Sequence, residues 1–254
     1  MKSLVMSDVN RFVEEHIRSF HDQRLRKLQA TKLTDLLTRK NPYLYRAKYL
    51  CTAQDLVSAL LDAKLSSSEE EIFGSFLEEL AIFVASKTLG ASKSSATGID
   101  MEYVSHGKRY LIALKSGAAW GNSSQWAKLE DDFKAASKVV RQSKQVAGVE
   151  CVLGVCYGKT KATIKQGFIH QLCGQAFWAQ ISGDKEFYTK IVEPLGHRAR
   201  EFTEDFAVKK GALINQFSHE FITDFCEPDG SISWARIVRF NSENMEAAQP
   251  AVSV

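Results

Sequence analysis

Within Gly98–Gln125, Asp100 and Lys115 are of the types that together can hold a divalent cation and activate a water molecule. Both lie in short runs with apolar residues at alternate positions, Ile99 and Met101 in the first, Ile112 and Leu114 in the second. His106-Gly107-Lys108-Arg109 separates the runs. A glycine at the first central position of a two-residue loop suits a type II′ turn. With Gly107-Lys108 as that loop, His106 pairs with Arg109, Asp100 falls opposite Lys115 and Glu102 falls opposite Ala113. Cross-strand partners share a face, with Cβ atoms roughly 4.5–5.5 Å apart, so the hairpin sets the aspartate beside the lysine. An ion pair across a surface hairpin accounts for the same two residues equally well. The polar segment that follows, Ser116-Gly117 and then Trp120 to Gln125, favours a site, because function gathers on loops over a rigid sheet.

The order Gly98-Ile99-Asp100, a gap of hairpin length, then Leu114-Lys115-Ser116-Gly117 resembles the core of the PD-(D/E)XK nucleases. Asn122-Ser123-Ser124-Gln125, followed by Asp132-Phe133 and Ala135, is similar more narrowly to type II restriction endonucleases of the PmeII type. Lys40 to Leu44, Thr52 to Leu56 and Ser66 to Ala81 resemble the N-terminal part of that group, so the resemblance covers roughly Asp35 to Gly174. It implies Mg²⁺-dependent hydrolysis of phosphodiester bonds in double-stranded DNA at a short specific site. Asp100 and the backbone carbonyl of Leu114 would be metal ligands, and Lys115 would orient or deprotonate the attacking water. A palindromic site calls for a homodimer, and a companion DNA methyltransferase would protect host sites without direct contact.

One departure stands out. Where the family pattern has Asp or Glu two residues before the lysine, this chain has Ala113. Either another acid replaces it, or the chain is catalytically silent. Glu79 has Phe76, Ile82 and Phe83 as helical neighbours, which puts it beside an apolar stripe facing the sheet. It is the expected third carboxylate, catalytic and metal-binding, ahead of Glu102. Glu78 is third choice, because its neighbours Gly74, Ser75, Ala81 and Ile82 point it outward. A repair or recombination nuclease with the same core and a DNA-binding module without catalysis are the alternative readings.

The chain has 254 residues, enough to bury a substantial core, with 44% hydrophobic and 25% charged residues as in ordinary globular domains. Its net charge of +3 is too small to argue for nucleic acid by itself, so local patches must carry that argument. The five cysteines form no CxxC pair and are expected to be reduced; HExxH, Walker and GxGxxG motifs are absent. No apolar run is long enough to span a bilayer and the start lacks a signal-peptide core, so no membrane partner and a cytoplasmic location are expected.

The elements that would position the site follow from periodicity. Residues 8–38 read as one helix or two, and the segment from Thr38 to Tyr49 as a loop after Pro42. Arg39, Lys40, Asn41, Tyr43, Arg46 and Lys48 make that segment a candidate DNA contact, cations for phosphate beside rings for sugar or base. Thr52 caps a helix to about Lys64, and Ser68 with Glu71 forms a capping box for a second helix to about Leu89. Ser123 or Ser124 caps a helix to about Ser143. Val149 to Tyr157 is a central strand, Gly158 to Lys165 a loop, and Gly167 to Leu172 another strand. Lys159 and Lys161 on that loop, with Ser116, Asn122, Ser123, Ser124 and Gln125, complete the expected DNA contacts. The expected fold is α/β, a small central mixed sheet of restriction-endonuclease type flanked by helices. It forms one nuclease domain over 1–240, with a helical N-terminal layer at 1–65, a catalytic core at 66–180 and a helical C-terminal layer at 181–240. Residues 241–254 are expected to be a disordered tail.

Overall fold

Alternating and continuous apolar runs in the middle of the chain assemble into one mixed sheet. The computed structural model describes residues 1–142, 146–197 and 199–244. The strands are β1 (Ser92–Lys93), β2 (Met101–Ser105), β3 (Lys108–Gly117), β4 (Gly148–Tyr157), β5 (Thr163–Lys165) and β6 (Ile169–Cys173). They lie in the order β1-β2-β3-β4-β6-β5, with β3, β4 and β6 parallel and the remaining pairs antiparallel. β4 is buried from Cys151 to Cys156, as its unbroken apolar run requires of a strand covered on both faces.

The first hairpin closes one step earlier than expected. His106 and Gly107 have φ of 47° and 74°. Positive φ at both loop residues marks a type I′ turn, whereas type II′ needs it only at the first. Ser105 therefore pairs with Lys108, Met101 with Ile112, and Glu102 with Leu111 rather than Ala113. The paired ladder stops at Met101, so Asp100 is not a direct cross-strand partner of Lys115. Every partner has moved by two residues, and because side chains alternate with a period of two, the faces are unchanged. Gln166 and Gly167, also left-handed, turn β5 into β6, a hairpin unanticipated in the loop before Gly167.

The helices are α1 (Met6–Gln29), α2 (Leu33–Arg39), α3 (Pro42–Ala47), α4 (Ala53–Leu89), α5 (Ser123–Gln142), α6 (Gln175–Ser182), α7 (Phe187–Lys190), α8 (Val192–Gly196), α9 (Ala199–Phe225) and α10 (Trp234–Ser242). The fold is thus α/β, a mixed sheet flanked by helices with helical N- and C-terminal regions. Two helical expectations are corrected. Pro42 ends α2 but opens α3, at a first-turn position where its missing N–H is no loss, and Asn41 caps that helix by accepting from Tyr43 and Leu44. α4 runs without a break through Ser66-Ser67-Ser68. The hydroxyls of Ser67 and Ser68 return to the carbonyls of Ala63 and Lys64 (3.2 and 3.1 Å), so Ser68 does not cap a new helix.

The chain divides into two compact units, Met1–Phe20 with Glu71–Ala199, and His21–Glu70 with the chain from Arg200 onward. The first contains the sheet. On one face Met101, Ile112 and Leu114 pack with Leu80 and Val84 of α4 and Phe177 of α6; on the other Leu111, Ala113 and Leu153 pack with Leu129 and Phe133 of α5. Burying a side chain such as Phe133 contributes about 1.5–3 kcal/mol. The second unit is helical, built on Leu36, Leu56, Leu61, Phe217 and Phe221. The one domain with layers at 1–65 and 181–240 drawn from sequence thus compares with divisions at 20/21, 70/71 and 199/200. Of the expected tail, residues 241 and 242 belong to α10, 243 and 244 follow it without regular structure, and 245–254 lie outside the described residues, as does the expected helix end at Ser143. All five cysteines are free, and among the described residues no helix is long and apolar enough to cross a membrane.

Candidate active site

Asp100 lies just before β2 and is held by the neighbouring strand. Its N–H donates to the Ile112 carbonyl (2.9 Å), and its carboxylate accepts the N–H of Leu114 (2.6 Å). The side chain satisfies a backbone donor beyond the end of the ladder, and a charged acceptor makes that bond strong. The acid is thereby pinned one residue from Lys115. Gly98, two residues before it, has φ of 74° and leaves room for the Asp132 side chain of α5, which a Cβ there would strike.

Lys115 is half-buried near the end of β3, its Nζ 5.4 Å from the centroid of the Trp120 ring. The third member comes from α4. Gly74 lets this helix lie close on β3, since a Cβ there would meet Ser116 Oγ at 3.1 Å. Glu78 is one turn further along the same helical face. It is half-buried, and burial first, then the negative charge of Asp100, push its carboxyl above the usual range, while Lys115 acts in the opposite direction. Two acids and a lysine are thus within electrostatic reach at one end of the sheet.

Glu79, expected to dock on the sheet, is exposed. Successive helical residues are separated by about 100°, and the close approach at Gly74 decides which of the two glutamates turns inward. A glycine four residues before a glutamate was the available signal. Glu102 opposes Leu111 and forms an ion pair with Arg109 (3.3 Å). Among the described residues no three His, Cys, Asp or Glu side chains gather as a metal cage. The donor set at the end of β3, two carboxylates beside the backbone of Leu114, nevertheless suits a Mg²⁺ ion, which is usually held by one or two carboxylates and completed by water and phosphate oxygens.

The residues expected to touch DNA fall in both units. In the first, Ser116 is half-buried beneath Gly74. Asn122, rather than Ser123 or Ser124, caps α5: its Oδ1 accepts from Gln125 N–H (3.0 Å) and Ser124 Oγ (2.7 Å), and Gln125 Oε1 accepts the Asn122 N–H (2.9 Å). Asn122 through Gln125 are exposed. Lys159 and Lys161 are exposed too, and line a groove of about 890 Å³ with Tyr157 and Tyr188. In the second unit Arg39, Asn41, Tyr43, Arg46 and Lys48 are exposed. Arg46 lies over the Trp234 ring (5.6 Å) and Lys48 over Tyr45 (5.0 Å), while Lys40 Nζ donates to the Ala63 carbonyl (3.3 Å).

A family model, that of the type II restriction endonuclease EcoO109I, matches residues 7–203. The match takes in every residue of the site just described. No curated protein matches the chain.

Proposed function

The chain belongs to the family of the type II restriction endonuclease EcoO109I, and on that premise we propose that it is a Mg²⁺-dependent enzyme that cuts both strands of DNA at a short specific site. Membership implies a DNA hydrolase; the metal, the site-specificity and the residue roles are the proposal. The observation that carries it is Glu78, a half-buried acid on α4 that feels both Asp100 and Lys115. Asp100, Glu78 and the Leu114 carbonyl would hold Mg²⁺, which supplies positive charge to a phosphate oxygen and lowers the pKa of a bound water. The Leu114 N–H keeps the Asp100 carboxylate oriented. Lys115 would orient the attacking water or offset charge developing on the phosphate.

Ala113 fits this reading as a relocation. It is 1% exposed and packed among Leu111, Leu129 and Phe133, where an unpaired carboxylate would be costly. Glu78 brings the acid from α4 instead. The finer resemblance to PmeII-type enzymes, a homodimer acting on a palindromic site, a companion methyltransferase and a cytoplasmic location belong to the same proposal. Ala113 also favours a second reading, a DNA-binding module without catalysis. Incubating plasmid and phage DNA with the protein and Mg²⁺ separates the two. Discrete fragments are expected; a smear points to a nonspecific nuclease, and DNA that is bound but intact overturns the proposal in favour of the silent module.

A further inference from the structure

Lysine is a point charge on a flexible four-carbon stem. At the end of a strand its ammonium samples many positions, and few of them face a reacting phosphate. Among the described residues no acid lies within ion-pair distance of Lys115; what lies over it is a ring. Lys115 Nζ is 5.4 Å from the Trp120 centroid, within the range of a cation–π contact. Trp120 packs in turn against Trp126 in the first turn of α5, with centroids 4.7 Å apart and planes tilted by 36°. Asn122, two residues on, accepts the Trp126 N–H at its carbonyl (3.0 Å) and caps α5 with its side chain.

We propose that Trp120 is a positioning residue for Lys115: its indole face sets the direction of the lysine side chain, and the capped start of α5 sets the indole. The inference rests on the reading of Lys115 as a catalytic residue. A second observation says which part of the tryptophan matters. Trp120 Nε1 is buried and has no hydrogen-bond partner among the described residues. The lysine lies over the ring, so its contact with Trp120 does not run through the N–H. It uses the ring face, which phenylalanine also has and methionine lacks. Methionine fills comparable space and keeps any simple packing role at the edge of the α5-side core.

The test compares Trp120→Phe and Trp120→Met in the full-length protein, with Trp120→Leu as a replacement should the methionine variant not fold. Two readouts are taken, NMR of ¹³Cε-labelled lysine and Mg²⁺-dependent cleavage of DNA. In the wild type the Lys115 signal is expected to show an upfield ring-current shift, kept in Trp120→Phe and abolished in Trp120→Met. Cleavage by Trp120→Phe is expected to stay within about twofold of wild type, while kcat of Trp120→Met falls roughly five- to tenfold with KM nearly unchanged. A Lys115 signal unmoved by Trp120→Met overturns the proposal, because the ring then does not sit over the lysine. A signal that moves while kcat does not overturns it as well, because the ring then positions nothing. Cleavage at the wild-type rate by Lys115→Met would overturn the underlying reading of the site together with the proposal; the first two results leave that reading intact.

Discussion

Strand β3 carries charge near both its ends, and the two ends treat it in opposite ways. Near its start, Lys108 pairs with Glu150 (2.7 Å), Glu150 also meets His170 (3.4 Å), and Arg109 pairs with Glu102. The Lys108 hydrogen bond holds the Glu150 carboxyl below its usual range. Near its finish, Lys115 has no acid at ion-pair distance among the described residues, and Glu78 is pushed up by burial and by Asp100. The first end has relaxed its electrostatics and the second has not. A half-buried acid displaced upward by burial and a neighbouring acid, beside a lysine, is the kind of perturbation that gathers at functional sites. On the proposed reading the paired end belongs to structure and the unpaired end to function.

Removing charge at each end sharpens the contrast most. Lys115→Met and Asp100→Asn are expected to reduce single-turnover cleavage by about a thousandfold or more, Lys108→Met by less than about twofold. Asp100→Asn should bind DNA as tightly as wild type or more so, since it removes an anion facing phosphate. Cleavage in Mg²⁺ and filter binding in Ca²⁺ measure both. An equal loss in Lys108→Met would dissolve the distinction between the ends.

The next effect separates the two glutamates of α4. Glu78→Gln is expected to lose about a hundredfold in kcat, while Glu79→Gln and Glu102→Gln remain within about twofold. Circular dichroism checks folding of each. Normal cutting by Glu78→Gln with a dead Glu79→Gln would return the third carboxylate to the exposed position.

A smaller contrast sets free cations against paired ones in DNA binding. Lys159 and Lys161 are exposed with no ion pair among the described residues, whereas Lys134 on α5 is paired with Glu130 (2.6 Å). Removing a cation that neutralises one phosphate should lower the slope of log affinity against log salt by about 0.9. Lys159→Gln and Lys161→Gln are expected to do so, as are Arg39→Gln and Arg46→Gln in the second unit; Lys134→Gln is expected to leave the slope alone. An unchanged slope in all four substitutions would remove these residues from the interface.

The sheet and the nearness of Asp100 to Lys115 were legible because they depend on parity. A glycine at the first central position of a type II′ turn points to Gly107-Lys108, whereas the chain turns at His106-Gly107, yet a two-residue slip leaves every side chain on its face. The third acid was not legible from apolar neighbours, because one position on a helix turns the side chain by about 100°. What turns Glu78 inward is the approach of α4 at Gly74, a tertiary fact of which the glycine is the only trace in the sequence. The same limit applies to Ser68. A serine followed three residues later by a glutamate has the capping pattern, and only continuation of α4 from Lys64 into Glu69 shows the hydroxyl bonding backward instead.

The two ends should also differ in the sign of their effect on stability. Glu78 has a raised folded-state pKa, so the native protein holds its proton more tightly than the unfolded chain. Stability from this group therefore falls as pH rises from about the usual 4.5 through the raised value, and above that the buried charge is a net cost. Glu150 has a lowered pKa; its contribution is fully present above 4.5 and is lost as pH falls through the lower folded value. In Mg²⁺-free buffer at neutral pH, Glu78→Gln is expected to stabilise by up to about 1 kcal/mol, discounted because water still reaches the side chain, or a rise in Tm of roughly 2–4 °C. Glu150→Gln is expected to destabilise by about 0.2–1 kcal/mol, the range of exposed ion pairs. Thermal melts from about pH 4 to 8 should show the advantage of Glu78→Gln growing with pH and the deficit of Glu150→Gln shrinking toward acid. A Glu78→Gln protein that melts below wild type at neutral pH would mean that the acid is held by structural partners, as at the other end of the strand, and would leave the unpaired site without its third carboxylate.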